Sequence, residues 1–314
     1  MDEDDLERVA RRYWLDRVTM DVVAREEGVS RSTVSRMLDA ARARGVVQIT
    51  VGSVHGRAPA LAAALRDRFG VDAVVAPTAE GETDLARLEA VAAATGALLA
   101  DLMGSGMVLG VAWGTTTSAV ARHLPARPTV DAHVVQLNGA ANTRSSGVGY
   151  AGEVVDRFGA AWGAEVHQFP VPAFFDAVAT RRAMWRERSV QGVLALQQRC
   201  DVALFGVGTV DAGVPSRVYT AGYLTDADRL SLAEERVVGD VCTVFLRADG
   251  SWQGVPLNAR SSGPPPPALT RIPRRVCAVA GSGKVVALGA ALAAGLVTDL
   301  VVDSTTARRL LAQR

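Results

Sequence analysis

The spacing of apolar residues changes near residue 52, from a helical period to runs typical of buried strands. In "LERVARRYWL", residues 6–15, apolar side chains recur on one helical face. "TMDVVAREEG" follows, opening with Thr19 as a favourable N-cap and ending at Gly28 as a C-cap. "VSRSTVSRMLDAARARG" opens with Ser30 as N-cap and ends at Gly45. The pattern predicts three helices, and the last two form a helix-turn-helix around the "EGVS" turn.

This predicted module has a small core and a strand after it. Ala24 is expected to face the turn, with Val29, Val34 and Leu38 in the shared core. "VVQITV", residues 46–51, is predicted to be a strand that would form a short wing.

The third predicted helix has a polar N-terminal half that suits DNA. Short hydroxyls and guanidinium groups at a helix N-terminus can reach base edges and phosphates in the major groove. The predicted DNA-binding residues are Ser30, Arg31, Ser32, Thr33, Ser35 and Arg36. Residues 1–50 hold nine arginines and ten carboxylates, but residues 31–44 have four arginines against Asp39 alone. The alternative is an interaction module whose polar face is merely solvated.

Domain boundaries follow from composition. Glycine, proline and small residues in "GSVHGRAPA", residues 52–60, predict a hinge. We therefore expect a DNA-binding domain over residues 1–52, a linker over 53–60 and a ligand-binding domain over 61–314.

Beyond the linker, apolar strand runs alternate with helical segments. The predicted strands are "VDAVVAP", "GMVLGVAW", "DAHVVQL", "AEVHQFPV", "CDVALFGVG", "GDVCTVFL", "RVCAVAG" and "TDLVVDS". Strands that are apolar throughout indicate a sheet covered on both faces, and their alternation with helices indicates a mostly parallel, doubly wound α/β fold of Rossmann-like type. "SSGPPPP", residues 261–267, predicts a polyproline-type surface loop.

Three glycine-rich turns are candidate ligand sites. Ligands of doubly wound sheets bind beyond the carboxyl ends of the strands, where such turns lead into helices. Hydroxyls and free backbone N–H groups at one of these helix starts would form an oxyanion cradle. The turns contribute Gly114, Thr115, Thr116 and Thr117; Gly206 and Gly208; and Gly281, Gly283 and Lys284.

Lys284 is the single lysine in a chain with 34 Lys+Arg. A cation in the first turn of a helix is disfavoured by about 0.3 to 1 kcal/mol, and a bound anion would reverse that sign. An ammonium also fits a crowded glycine turn better than a guanidinium fork does. We therefore expect Lys284 to contact an anion or a sugar. The alternatives are a Schiff base with a sugar carbonyl and a solvated, structural lysine.

Several other chemistries are disfavoured. "GSGK" is not a nucleotide P-loop, since Ala278 and Val285 stand where that motif needs glycine and a hydroxyl residue. "GVG" at 206–208 lacks the third glycine of a dinucleotide-binding fingerprint. The four histidines lack metal spacing along the chain, so neither a metal nor a cofactor is expected.

Composition and the chain ends favour a cytoplasmic protein. The formal net charge is +1, so a nucleic-acid surface must be local. Cys200, Cys242 and Cys277 lie in apolar stretches without CxxC spacing, as in a reducing compartment. The N-terminal segment is acidic and then amphipathic, unlike a signal peptide. The longest apolar run, residues 285–297, is shorter than the ~20 residues that a bilayer requires.

A known family combines these motifs. A helix-turn-helix followed by "GVAWGTTTSAV", "VVQLNG", "FGVGT", "VGDVCTVFLRADG", "PLNAR" and "VAGSGKVVALGAAL" resembles the SorC family of bacterial sugar-responsive transcriptional regulators over nearly the whole chain. The resemblance implies a large domain similar to sugar-phosphate isomerases and glucosamine-phosphate deaminases, used for sensing. It also implies a homodimer or homotetramer on operator DNA, controlled by a sugar or sugar-phosphate effector.

The same resemblance implies roles for single residues. Gly114, Thr115 and Thr116 would hold a phosphate or sugar hydroxyl, and Lys284 would bind a phosphate. The further effector-binding residues that it implies are Gln136, Asn138, Asp249, Asn258 and Arg260.

Two other functions compete with this prediction. One is a sugar-phosphate isomerase or deaminase with an appended helix-turn-helix, a chemistry that needs a carboxylate or histidine base over the sugar carbon. Asp211 in "GTVDAG" is its candidate near a glycine turn. The other is a DNA-bound scaffold with a vestigial pocket, which predicts no ligand effect.

Overall fold

The computed structural model describes residues 3–16, 18–44, 46–47, 58–79, 81–210, 212–214 and 216–313. The chain divides into two compact units, Met1–Val54 and His55–Arg314. Pro59 and Ala60, which the sequence places in the linker, lie at the start of a helix of the second unit. No helix in the described part of the chain is long and apolar enough to span a bilayer.

The first unit contains the three predicted helices. They are α1 (Glu3–Ala10), which continues as a π-helical turn over Arg11–Leu15, α2 (Met20–Glu26) and α3 (Arg31–Ala43). The Ser30 hydroxyl caps α3 by accepting from the Thr33 N–H at 3.1 Å. Gly28 ends the α2 segment with a φ of 65°, which glycine adopts without strain. The predicted wing falls on residues 46–51, of which 48–51 lie outside the described residues.

The core of this unit is apolar and fully covered. Val34 and Leu38 of α3 pack with Ala24 of α2 and with Leu6 of α1. Val29 is 37% exposed, so its predicted place in the core is wrong. It lies in the turn between α2 and α3, where the chain reverses and its side chain faces outwards.

The second unit alternates strands with helices. Its helices are α4 (Pro59–Phe69), α5 (Asp84–Leu102), α6 (Thr115–Arg122), α7 (Glu153–Trp162), α8 (Val178–Met184), α9 (Arg188–Gln197), α10 (Arg217–Thr220), α11 (Asp226–Glu234), α12 (Pro266–Leu269), α13 (Val285–Ala293) and α14 (Ser304–Ala312). Its strands are β1 (Asp72–Ala76), β2 (Val108–Val111), β3 (His133–Gln136), β4 (Glu165–His167), β5 (Val202–Phe205), β6 (Val237–Val241), β7 (Val244–Arg247), β8 (Arg274–Val279) and β9 (Asp299–Asp303).

Seven strands form one parallel sheet in the order β1-β9-β8-β5-β2-β3-β4. Side chains of β5 alternate between two core clusters, with Ala203 and Phe205 in one and Val202 and Leu204 in the other. Because both faces are covered, the strand reads as a continuous apolar run. The predicted doubly wound α/β fold is confirmed.

The prediction of a single strand for the run "GDVCTVFL" is wrong. The run forms a hairpin outside the main sheet. Strands β6 and β7 pair antiparallel, and Cys242 and Thr243 form the connection with φ angles of 50° and 66°. Two-residue hairpins of this kind favour Asn-Gly because both central residues need positive φ. A cysteine and a β-branched threonine give no such signal, and they make the turn strained.

The prediction of a surface loop for the proline run, residues 261–267, is wrong. Ser261 and Ser262 are 1% and 2% exposed, and Pro266 begins helix α12. Proline at the first position of a helix loses no hydrogen bond, since that N–H has no intrahelical acceptor. The Ser262 hydroxyl instead accepts from the Gly139 N–H at 2.9 Å, which connects this segment to the end of β3.

Candidate functional site

The three glycine-rich turns meet at one cavity of about 50 Å³. They follow β2, β5 and β8, which are neighbours in the sheet, so their carboxyl ends share one edge. The lining residues are Ala112, Trp113, Gly114, Thr115, Thr116, Thr117, Asn138, Gly206, Val207, Gly208, Ser216, Arg217, Val218, Asp240, Cys242, Thr243 and Lys284. Seven of them were singled out as effector-binding residues from the sequence: Gly114, Thr115, Thr116, Asn138, Gly206, Gly208 and Lys284.

The turn after β2 presents the start of α6 to the cavity. Gly114 is the N-cap in an extended conformation, with a φ of 168°. The Thr117 hydroxyl donates to the Gly114 carbonyl at 3.0 Å, which closes the first turn. The first N–H groups of α6 lack intrahelical acceptors, and the positive end of the helix dipole lies with them. This end of the cavity therefore favours an anion or a hydroxyl oxygen.

Asp240 of β6 is a cavity residue that sequence reasoning missed. Its backbone exchanges two hydrogen bonds with Gly208, at 2.9 and 3.0 Å. A Cβ at position 208 would lie 2.0 Å from Asp240 Oδ1, so only glycine fits beneath this carboxylate. Asp240 Oδ2 accepts from the N–H of the strained Thr243 at 3.1 Å. The Asp240 backbone thus joins β6 to the turn that follows β5, and its carboxylate holds the hairpin turn.

Burial controls the charge of Asp240. Removal from water raises the pKa of this carboxyl to about 6, although the Thr243 N–H, the Tyr219 hydroxyl and Lys284 all favour the charged form. Its Oδ1 atom has no hydrogen-bond partner among the described residues.

Lys284 is buried, with 5% of its surface exposed. It ends the 3₁₀ turn Ser282–Lys284 and directly precedes α13. Burial lowers the pKa of its ammonium, while Cys277, Asp240 and Asp84 act in the opposite direction. The solvated-lysine alternative is therefore wrong. Within the described part of the chain, no hydrogen bond or ion pair satisfies this ammonium.

Arg217 and Asn138 also bring incompletely satisfied polar groups to the cavity. The Arg217 guanidinium lies over the Tyr150 ring, with its carbon 3.7 Å from the ring centroid. Its Nε atom and the Asn138 Oδ1 atom are buried and have no partner among the described residues. Trp113 forms an apolar wall, stacked on Tyr223 with ring centroids 4.9 Å apart.

Two predicted site residues, Gln136 and Asn258, support the cavity from outside its lining. Gln136 donates to the Asn138 carbonyl at 2.6 Å and accepts from the Phe169 N–H at 3.2 Å. Asn258 bonds both backbone groups of Phe245, at 2.8 and 2.9 Å. Their amides are used up by backbone groups, so they position the chain around the cavity and do not face it.

Arg260 and Asp249 likewise lie outside the cavity lining. The Arg260 guanidinium pairs with Asp228 and donates to the Phe175 carbonyl at 3.0 Å. Asp249 is exposed and accepts from the Ser251 N–H at 2.9 Å, in the turn after β7. Asp211, the candidate base of the enzyme alternative, lies outside the described residues.

The polar residues predicted to contact DNA lie at the N-cap and in the first two turns of α3. Ser30, Arg31, Ser32, Ser35 and Arg36 are exposed and Thr33 is half-buried. Two acidic residues at the end of the α2 segment are paired with arginines of α1 and of the π-helical turn that follows it: Arg8 pairs with Glu27 at 2.9 Å, and Arg12 with Glu26 at 2.6 Å. Arg36, Arg42 and Arg44 have no ion pair with any described residue. Arg25 of α2 is likewise without an ion pair to a described residue, whereas Arg31 lies 3.8 Å from Asp21. Most of the free positive charge in the described part of this unit thus lies on and just after α3.

Comparison with known proteins places the chain. Residues 53–312 match the family model described as "Putative sugar-binding domain". The deoxyribonucleoside regulator of Bacillus subtilis (strain 168) is 29% identical over 308 residues, which cover 96% of this chain and 95% of that protein. A domain of a "possible sugar-binding transcriptional regulator" from Arthrobacter aurescens TC1 is 48% identical, with a TM-score of 0.77 over 83% of this chain and 100% of that one.

The likeness of fold extends through the first unit. The full-length sorbitol operon regulator SorC of Klebsiella pneumoniae superposes with a TM-score of 0.73 at 23% identity, covering 99% of this chain and 100% of that one. The named relatives are regulators, which supports the regulator prediction over the enzyme alternative. The chain belongs to the sugar-binding domain family of transcriptional regulators to which SorC belongs.

Proposed function

We propose that this protein binds operator DNA through the N-terminal half of α3 and that a sugar or sugar phosphate controls that binding by entering the cavity, which must widen from about 50 Å³ to hold it. One observation carries the effector part of the proposal. Three buried polar atoms without partners among the described residues, Asn138 Oδ1, Asp240 Oδ1 and Arg217 Nε, lie on the same cavity. Buried polar atoms are nearly always hydrogen-bonded, so such a group indicates a missing ligand or water.

The chemistry of these atoms describes the ligand. Asn138 and Asp240 offer acceptors to hydroxyl groups, as a polyol or sugar requires. Arg217, Lys284 and the start of α6 offer positive charge and N–H donors to an anionic group. Trp113 gives the apolar face of a sugar ring a flat surface. A phosphorylated sugar satisfies all three features, and a neutral sugar satisfies two.

Effector control requires that the cavity differ between DNA-bound and free protein. Its walls come from separate segments of the chain, among them the start of α6, the turn after β5, the β6–β7 hairpin and Lys284 before α13, so a ligand would touch several of them at once. By linkage, operator DNA must change effector affinity by the same factor as effector changes DNA affinity. We further propose that the protein acts in the cytoplasm as a homodimer or homotetramer, which would present more than one α3 to an operator.

A thermal-shift screen tests the effector proposal. Pentose and hexose phosphates and their unphosphorylated parents would be added to wild-type protein, Arg217→Gln, Asp240→Asn and the exposed control Arg157→Gln. At ~100 times its dissociation constant, a ligand should stabilise the fold by about 2.7 kcal/mol. We expect a sugar phosphate to stabilise wild type and the control. Arg217→Gln should lose the preference for the phosphorylated form, and Asp240→Asn should weaken both forms.

The DNA proposal is tested separately by fluorescence anisotropy with promoter DNA upstream of the protein's own gene. Binding should weaken or strengthen when the stabilising sugar phosphate is added. If no compound shifts wild-type melting, the effector proposal fails. If promoter DNA binds no better than unrelated DNA of equal length, the operator proposal fails.

A further inference from the structure

A cluster of two histidines and a glutamate lies apart from the cavity, where β3 pairs with the edge strand β4. His133 pairs in register with Glu165, and His167 follows Glu165 by two residues, on the same face of the strand. Residues two apart in a strand point the same way. The parallel register therefore brings together three side chains that have no metal-like spacing along the chain.

The distances within this cluster match those between ligands of one ion. His133 Nδ1 lies 3.1 Å from His167 Nε2. Glu165 oxygens lie 3.6 Å from His133 Nδ1 and 3.6 Å from His167 Nε2. Two ligand atoms at ~2.0–2.1 Å from a tetrahedral ion are about 3.4 Å apart, since zinc holds imidazole nitrogen and carboxylate oxygen at those lengths.

Hydrogen bonding alone explains this arrangement less well. Neutral imidazoles 3.1 Å apart can share one proton, but carboxylate oxygens at 3.6 Å are too far away to accept a good hydrogen bond. An ion at the centre would contact all three groups and compensate the glutamate charge.

We propose that His133, Glu165 and His167 bind a divalent transition-metal ion of the zinc type. Two imidazoles and one carboxylate suit Zn²⁺, Ni²⁺ or Cu²⁺ and do not suit Mg²⁺ or Ca²⁺, which prefer oxygen ligands. Three protein ligands leave a position open to solvent, as in exchangeable sites. Thiols do not compete, because Cys200, Cys242 and Cys277 are buried.

An open groove beside α9 gives an ion access to the cluster. His167 lines this groove, which has a volume of about 430 Å³. The three ligand side chains remain partly exposed, with His133 and His167 at 29% and 27% and Glu165 at 68%. Among the described residues, no group bonds the second nitrogen of either imidazole. Such bonds raise metal affinity, so we expect a reversible site and not a permanently filled one.

Metal binding would fasten the edge of the sheet. Strand β4 is three residues long and pairs with β3 alone, so an ion held by both strands crosslinks them. Because the ligands come together only in the folded chain, the ion stabilises the native state.

The test is isothermal titration of ZnCl₂ into untagged full-length protein that has been treated with a chelator and dialysed. We expect one ion per chain and a rise in melting temperature with Zn²⁺ but not with Mg²⁺. His133→Asn and His167→Asn should each weaken binding at least 100-fold, since changes at supporting residues alone cost about 10–100-fold. The matched control is His123→Asn, because His123 contacts Glu89 at 2.6 Å without a second histidine among the described residues.

Two further measurements keep the proposal falsifiable if a histidine variant folds poorly. Glu165→Gln changes a mostly exposed side chain, so it should fold normally and still weaken zinc binding. Co²⁺-loaded wild type should show visible absorption bands of a four-coordinate site, and the His133→Asn variant should lack them. Equal zinc isotherms for wild type and the three ligand variants, or no zinc binding by wild type, would overturn the proposal.

Discussion

The exposed face of α3 and the cavity beyond β2, β5 and β8 are both rich in polar groups, but the two regions differ in their access to water. On α3, Arg36 is exposed, so water can hydrogen-bond to any of its polar atoms that has no protein partner. In the cavity, Asp240 and Asn138 are 5% and 1% exposed and each keeps a polar atom without a partner among the described residues. A missing partner is therefore uninformative on α3 and points to a ligand in the cavity.

The same contrast decides what a substitution should do. Changing a buried group alters stability, protonation and ligand binding together, because desolvation is part of its energy. Changing an exposed group should alter only the contact it makes with a partner.

Asp240→Asn should show the largest effect. Burial raises the pKa of Asp240 from its ordinary 3.8 to about 6, so the folded state binds this proton more tightly than the unfolded chain between those pH values. The stability contribution of this carboxyl is therefore greatest below about pH 4 and falls as pH rises through about 6, by roughly 3 kcal/mol. The variant lacks this loss. Urea unfolding at about pH 4 and about pH 7.5 gives the free energy of unfolding of both proteins. Wild type should lose more of it than the variant between the two pH values.

The control for Asp240→Asn is Asp249→Asn. Hydrogen bonds from Ser251 lower the pKa of the exposed Asp249, so the charged form stabilises the fold above its ordinary pKa. Removing this carboxyl should cost stability at neutral pH and not at acid pH, the opposite sign. Equal pH dependence in both variants would contradict the raised pKa that burial gives Asp240.

Gly208→Ala should come next, because its Cβ would meet Asp240 Oδ1 at 2.0 Å and Ser216 Oγ at 2.8 Å. Overpacking of this kind costs about 1–3 kcal/mol. Gly192→Ala, within α9, meets nothing within 4 Å and should stabilise by about 0.5–1 kcal/mol, since alanine favours helix. Denaturant midpoints compare the two. An unchanged denaturant midpoint for Gly208→Ala would show that Asp240 and Ser216 can move away from the added methyl group.

Arg36→Ala should leave stability unchanged and weaken DNA binding. Loss of one phosphate contact lowers the slope of log K against log salt by about 1. Arg11→Ala is the matched control, since Arg11 is also exposed but follows α1 and pairs with Glu7 at 3.7 Å. Anisotropy titrations at several salt concentrations give both slopes. Equal slopes for the two variants would argue against α3 as the DNA-binding element.

Arg157→Ala should show the smallest effect. Arg157 and Glu153 form an exposed pair at 2.8 Å on one side of α7. Pairs of this type contribute about 0.3–0.5 kcal/mol, and salt screens them. A loss above ~1 kcal/mol in the free energy of chemical unfolding would show that exposed ion pairs of the second unit contribute more to stability than such pairs usually do.

Elements with local signals were predictable from the sequence. Helix α3 carries its own N-cap and apolar face, and β2, β5 and β8 are apolar runs followed by glycine turns. These signals depend on neighbours along the chain, so the fold and the three glycine-rich turns of the cavity followed from them. The β6–β7 hairpin did not, because Cys242 and Thr243 lack the residue types that mark such turns.

The remaining cavity residues depend on long-range packing. Arg217 is one of 33 arginines, and nothing in its local sequence separates it from the others. Asp240 left one usable signal, an acidic residue inside an otherwise apolar strand run, which is a costly placement without a function. Gln136 and Asn258 resemble ligand-binding amides in sequence, but backbone groups occupy them.

The sheet order also determines when each unit can fold during synthesis. Edge strand β1 pairs only with β9, where Asp72 faces Asp299, and Arg68 of α4 donates to the carbonyls of Leu311 and Gln313. The first segments of the second unit, α4 and β1, therefore cannot complete their contacts until residues more than two hundred positions later have been synthesised. The helix-turn-helix finds its core contacts within Met1–Val54. In a nascent chain the helix-turn-helix unit can thus fold well before the parallel sheet is complete.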